Sequence, residues 1–82
     1  MLEPALLWRE EDDGDWELLV DGEHFGVVCP HRPEYCLLVW DCGEKKNIAA
    51  TLEEAKHVFE RIARVTARAE AAYQAIIASE EN

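Results

Sequence analysis

Residues 13–29 read DGDWELLVDGEHFGVVC, and the punctuation of this stretch decides the fold. Two Asp-Gly pairs, Asp13-Gly14 and Asp21-Gly22, stand eight residues apart. Asp-Gly accepts the positive-φ turns whose twist matches that of paired strands, so each pair predicts a hairpin. Between and after them, Asp15–Val20 and Glu23–Cys29 read as strands. With Asp21-Gly22 as a two-residue turn, Leu18 faces Phe25 and Trp16 faces Val27. Cross-strand partners share a side, so these four predict the core face, with Glu17, Leu19 and His24 on the other.

Outward from this hairpin the pattern continues. Ala5–Glu10 reads as a first strand, and Pro4 suits the start of an edge. PHRP, residues 30–33, breaks the ladder. YCLLVW, residues 35–40, is apolar on both faces and predicts a fourth, central or doubly covered strand. DCGEKKNIAA, residues 41–50, reads as a connector, assigned over 43–50 in the domain division. Thr51-Leu52-Glu53-Glu54 is a capping box, in which a threonine hydroxyl accepts from the amide three residues on. Behind it Leu52, Ala55, Phe59, Ile62, Thr66, Ala69, Tyr73 and Ile76 recur at helical spacing, and no Gly or Pro interrupts before Ser79. The expectation is one α+β domain over 1–82. It comprises a four-stranded antiparallel meander (1–42), a connector (43–50) and one long C-terminal helix (51–79).

A helix of about 27 residues is about 40 Å long, whereas six-residue strands span only about 20 Å. Roughly half of it must overhang the sheet. The overhang is apolar over more than one side, which predicts a homodimer through Val65, Ala69, Ala72, Tyr73, Ile76 and Ile77, unless PALLW (residues 4–8) folds back over it.

The net charge is −10, and all of it lies in one half of the chain. Residues 1–44 hold twelve acids against Arg9 and Arg32; residues 45–82 hold six acids and six cations. Such a field repels phosphates and argues against direct nucleic-acid binding. No apolar run nears the roughly 20 residues of a membrane span, and the N-terminal MLEPALLWREED lacks a basic leader, so a soluble, cytoplasmic protein is expected. Cys29, Cys36 and Cys42 then read as reduced thiols.

No motif points to catalysis or a cofactor. Cys29, His31, Cys36 and Cys42 are zinc-type ligands, but C-x-H-x4-C-x5-C lacks the paired knuckles that aim ligands inward. Glu11, Asp13, Asp15 and Glu17 alternate as calcium ligands do, yet the EF-hand glycine and glutamate positions hold Trp16 and Gly22. Cys29-Pro30-His31 sets a thiol near an imidazole, with no third group evident to orient the ring. His24 and His57 have no partner pattern. Lys56, Arg61, Arg64 and Arg68 interleave with Glu53, Glu54, Glu60 and Glu70, as on a solvated helix face. What remains is the acidic surface: Glu10, Glu11, Asp12, Asp13, Asp15, Asp21 and Glu23, fixed on turns where they can imitate closely spaced phosphates.

In size, acidity and lack of motifs the chain resembles phage-encoded inhibitors of host defence, of the anti-CRISPR and DNA-mimic anti-restriction kind. That resemblance implies stoichiometric binding to a basic nucleic-acid-handling complex, without catalysis. EEDDGDWELLV (10–20) followed by TLEEAKHVFERI (51–62) also resembles HicB-type antitoxins, although 36 residues separate Gly14 from Thr51, the short Pro-Asp-rich turn segment is missing and no DNA-binding tail follows. It implies a dimeric regulatory module.

Overall fold

Both Asp-Gly pairs close hairpins in the computed structural model, which describes residues 3–31 and 34–80. Five strands follow one another, β1 (Leu6–Glu10), β2 (Trp16–Val20), β3 (Glu23–Cys29), β4 (Cys36–Trp40) and β5 (Lys45–Ala49), and then one helix, α1 (Leu52–Glu80). The sheet is antiparallel throughout, with strands side by side in chain order. The fold is therefore α+β, with five strands and not four. Arg32 and Pro33, within the expected PHRP loop, lie outside the described residues, as do residues 1, 2, 81 and 82 of the expected domain.

The fifth strand replaces most of the expected connector. Asp41, Cys42 and Gly43 all have positive φ (56°, 56° and 85°), and the Glu44 amide donates to the Asp41 carbonyl. This turn returns the chain along β4, pairing Trp40 with Lys45 and Leu37 with Ile48. Lys45, Lys46 and Asn47 have low strand propensity, but on an edge the packing of neighbours matters little. Lysines there also discourage other chains from adding to the sheet.

The β1–β2 connection, residues 11–15, closes in a tight turn over 12–14. The Gly14 amide donates to the Glu11 carbonyl and the Glu11 amide to the Asp15 carbonyl, while Gly14 takes φ 88°. The β2–β3 turn is the expected two-residue type, with Asp21 and Gly22 both at positive φ. Its register then departs from expectation. Val20 pairs with Glu23 and Leu19 with His24, but a bulge follows, and Leu18 meets Gly26 while Trp16 meets Val28. Phe25 is the extra residue of that bulge. Val28, not Val27, is consequently fully buried, and Val27 turns to the opposite face.

One face of the sheet receives α1. Leu18, Val28, Cys36, Leu38 and Ala49 from the strands meet Ala55, Phe59 and Ala63 from the helix in a single core. Phe59 is the hub. Its ring lies 5.3 Å from that of Phe25, 5.6 Å from Trp40 and 6.1 Å from Trp8, centroid to centroid. Gly26 gives that ring its room: a Cβ there would sit 2.5 Å from Phe59 Cζ. At the helix start the Glu54 amide donates to Thr51 Oγ1, the contact that the capping box predicts.

The helix outruns its sheet. At 29 residues it is about 44 Å long against about 17 Å for a five-residue strand. The last core residue is Ala63, and from Arg68 onward every residue with a described side chain is exposed except Ile77. The radius of gyration, 14.5 Å, exceeds the roughly 12 Å of a compact chain this long for the same reason. Leu6 and Trp8 pack on the core, so PALLW does not cover the overhang; Glu3, which precedes it, reaches toward the overhang and pairs with Arg64 and Arg68.

Candidate functional site

The other sheet face has no element over it among the described residues. Paired positions form a row across it: Arg9, Glu17, Val27, Val39 and Lys46. The centre is apolar and half-buried, while both edges carry charge. β4 is thus central, as expected, but covered on one face only.

Glu17 is the unusual member of this row. It is a buried carboxylate, 7% exposed, on a face open to water. Arg9 pairs with its Oε1, and His24 Nδ1 lies 2.5 Å from its Oε2. Glu11 joins through Arg9 at 3.6 Å. The hydrogen bond to His24 holds the Glu17 carboxyl below its ordinary value of 4.5; burial opposes this, and the Arg9 charge reinforces it. Because the folded state lowers this pKa, the pairing stabilises the protein fully above about pH 4.5 and is lost as pH falls through the lowered value. Glu17→Gln should therefore give a shallower loss of stability between pH 5 and pH 3, read from urea midpoints across that range. An unchanged acid limb would show that other carboxylates control it.

The hairpin end beside this row carries the acidic stretch. Residues 11–15 are braced by the two loop hydrogen bonds and by the Asp15 amide, which donates to Asp13 Oδ1 at 3.0 Å. Asp15 is tied further: His31 Nε2 lies 2.7 Å from its Oδ1, and the Cys29 thiol donates to its Oδ2 at 3.5 Å. A carboxylate so engaged with its own chain has less capacity for a partner. Glu10, Asp12 and Asp13 are exposed, and Glu11 is half-buried.

Asp21 and Glu23 do not join them. They sit at the opposite end of β2, about 17 Å away along the strand, where Asp21 Oδ1 accepts from the Ala5 amide at 2.9 Å. There they line a cleft of about 490 Å³ beside the helix, together with Glu70, which the sequence reading had set on a solvated helix face. The seven expected partner-binding carboxylates thus form two groups. Glu10, Glu11, Asp12, Asp13 and Asp15 share one end, and Asp21 and Glu23 the other.

The zinc-type residues are dispersed. Cys36 is buried under the helix, Cys29 pairs with Leu37 at the end of β3 on the open face, and Cys42 occupies the β4–β5 turn. None of the three is in a disulfide. Among the described residues no group of three or more His, Cys, Asp or Glu is placed to hold a metal ion. The calcium-type set is likewise engaged with amides and cations. Asp15 is the third group that the Cys29–His31 pair lacked in sequence, but it contacts the thiol and the ring itself instead of standing behind the ring. That makes a brace for the loop rather than a relay from base to nucleophile.

Three contacts had no sequence signal. Lys56 stands 3.4 Å from the Trp16 ring centroid and 5.5 Å from that of Trp8, and Trp8 Nε1 donates to Glu60 at 2.7 Å. Lys56 and Glu60 therefore clasp the sheet's first two strands, whereas Glu60–Arg64 at 3.9 Å is the expected surface pair. Val65, Tyr73 and Ile76 of the expected dimer face are exposed by 63%, 62% and 58%. Ala69 and Ala72 are exposed beside them, and Ile77 is half-buried.

Fold and site define a small α+β protein with an acidic, braced hairpin end and an uncovered helix extension. No protein-family model matches the chain, no curated protein matches it, and no solved structure matches it. No helix among the described residues is long and apolar enough to cross a membrane.

Proposed function

We propose that this is a non-catalytic, cytoplasmic binding protein whose acidic hairpin end docks on a basic, nucleic-acid-handling protein, as phage-encoded anti-CRISPR and anti-restriction inhibitors do. The observation that carries this reading is the bracing of residues 11–15. Glu10, at the end of β1, and Asp12 and Asp13 are exposed, with Glu11 half-buried between them, around a loop whose backbone is tied at three points, so little ordering entropy opposes docking. Closely spaced carboxylates on a rigid support imitate a phosphate backbone, which carries one charge per roughly 1.7 Å in duplex DNA. Asp15 supports the loop in this account, and Asp21 and Glu23 offer a second, separate contact.

The test is inhibition of DNA binding and cleavage by CRISPR effector complexes and restriction endonucleases. At least one should be inhibited stoichiometrically, with affinity falling roughly tenfold or more between low and moderate salt. Glu10→Lys with Asp12→Lys, neither of which takes part in the three loop ties, should abolish inhibition while leaving the circular dichroism unchanged. Inhibition that survives this double reversal would place the contact elsewhere.

A second reading rests on the exposed Val65, Tyr73 and Ile76: a dimeric regulatory module, HicB-like, that acts through its helix. Charge reversal at Glu10 and Asp12 would then be harmless, while Tyr73→Asp or Ile76→Asp would abolish assembly.

A further inference from the structure

We infer that two copies of this chain pair through antiparallel helices, the two overhangs lying along each other and the tip of each reaching the β5 edge of the other copy. This inference rests on the second reading above and specifies its geometry.

The helix carries a second apolar stripe, which diverges from the face that meets its own sheet at Val58 and Ile62, both packed on the core margin. Val58, Ile62, Val65, Ala69, Ala72 and Ile76 follow at alternating spacings of four and three, the pattern of a coiled-coil seam. No charged residue falls on it. Its first two members are half-buried at the margin of the core, and its last four are exposed, so the stripe runs from the supported half into the overhang without a break. Where it begins, Asn47 of β5 and Val58, Arg61, Ile62, Val65 and Thr66 line a shallow cleft of about 320 Å³.

The spacing of the last four members is self-complementary. About a two-fold axis between Ala69 and Ala72, Val65 of one copy lies level with Ile76 of the second, and Ala69 with Ala72. Large residues stand at both ends and small ones where the helices meet most closely. Ile76 of the second copy then reaches the cleft by Val65 and Asn47. A seam about 10 Å wide and 30 Å long on each copy, with Tyr73 added, approaches the order of 1,000 Å² that a specific interface needs.

Two observations select antiparallel over parallel helices. The first is charge. The excess of −10 lies wholly in residues 1–44, and residues 45–82 are neutral. Parallel helices would set two such acidic sheets side by side, whereas antiparallel helices carry them to opposite ends. The second is Tyr73. It continues the face by which Phe59 and Ala63 meet the sheet, but beyond the sheet's end, where it is 62% exposed. In the antiparallel arrangement it falls level with Arg68 of the second copy, nearer that copy's sheet, whereas parallel helices would set it level with the second Tyr73, far from both sheets.

The test begins with light scattering. The expected mass is twice 9.4 kDa, holding from low to high salt, and Ile76→Asp should return it to 9.4 kDa with the tryptophan fluorescence of the sheet unchanged. Orientation follows from disulfide trapping in a Cys42→Gly background, which removes the exposed thiol at a positive-φ position that favours glycine. Val65→Cys and Ile76→Cys proteins, mixed and oxidised, should form the crossed disulfide, and Val65→Cys alone should not cross-link. Cross-linking of Val65→Cys to itself would keep the dimeric reading and overturn the antiparallel one. A monomer at several hundred micromolar would overturn both, leaving the acidic docking reading untouched.

Discussion

Phe59→Ala should cost about 3–5 kcal/mol, the largest loss from any single side chain in this protein. Phe59 is wholly buried and stands against three aromatic rings from three different strands, β1, β3 and β4. Its removal leaves a void whose walls cannot close in, because Trp8 and Trp40 are anchored on separate strands and Trp8 is tied by its indole nitrogen to Glu60. An 82-residue domain has about 4–12 kcal/mol of stability in all. The variant should therefore melt more than 12 °C lower, and a stability at the low end of that range would leave it unfolded at room temperature. Urea denaturation of wild type and variant measures this directly. A loss below about 1.5 kcal/mol would mean that the helix is held chiefly by something other than this ring.

Gly26→Ala attacks the same contact from the opposite side and should cost about 3 kcal/mol, the upper part of the overpacking range. The new Cβ would sit 2.5 Å from Phe59 Cζ, 2.5 Å from the Val39 carbonyl oxygen and 2.8 Å from Trp40 Cβ. Phe59 can tilt, but Val39 belongs to the neighbouring strand and its carbonyl cannot retreat without disturbing the ladder. Combining Gly26→Ala with Phe59→Leu should thus restore part of the loss and never all of it. Full rescue would place the whole clash at the ring. A cost under 1 kcal/mol for Gly26→Ala alone would show that the two strands separate more readily than their pairing implies.

These two residues also mark where sequence reading stops. The Asp21-Gly22 turn and the helix start at Thr51 were legible because each is a local event, decided by the φ preferences of one or two residues or by one hydroxyl. β1 to β4 and the helix fall within a residue or two of their expected bounds. The bulge at Phe25 was not legible. It arises because Gly26 must pass beneath Phe59, a residue 33 positions later, and no local pattern encodes that approach. β5 was missed because Lys45-Lys46-Asn47 reads as polar connector. The signal available was Gly43, which stands between β4 and β5 as Gly14 and Gly22 stand between the strands they join. In the candidate site, the carboxylates were legible as a composition but not as a surface. Their division between two ends follows from the length of β2, and the ties from Asp15 to His31 and from Glu17 to Arg9 and His24 depend on register across strands.

The strict chain order of the strands has a consequence for how the protein comes to be folded. Every strand pairs with its immediate predecessor, so each hairpin closes a short loop and the sheet can grow by successive local steps. The cover arrives last. Phe59 and Ala63 emerge from the ribosome only after all five strands, and until then Leu18, Val28 and Leu38 face water on an unprotected surface. The acidity concentrated in residues 1–44 then serves the nascent chain as well as the finished one. Like charge on neighbouring half-made molecules keeps their open sheets apart for the seconds before the helix closes over them.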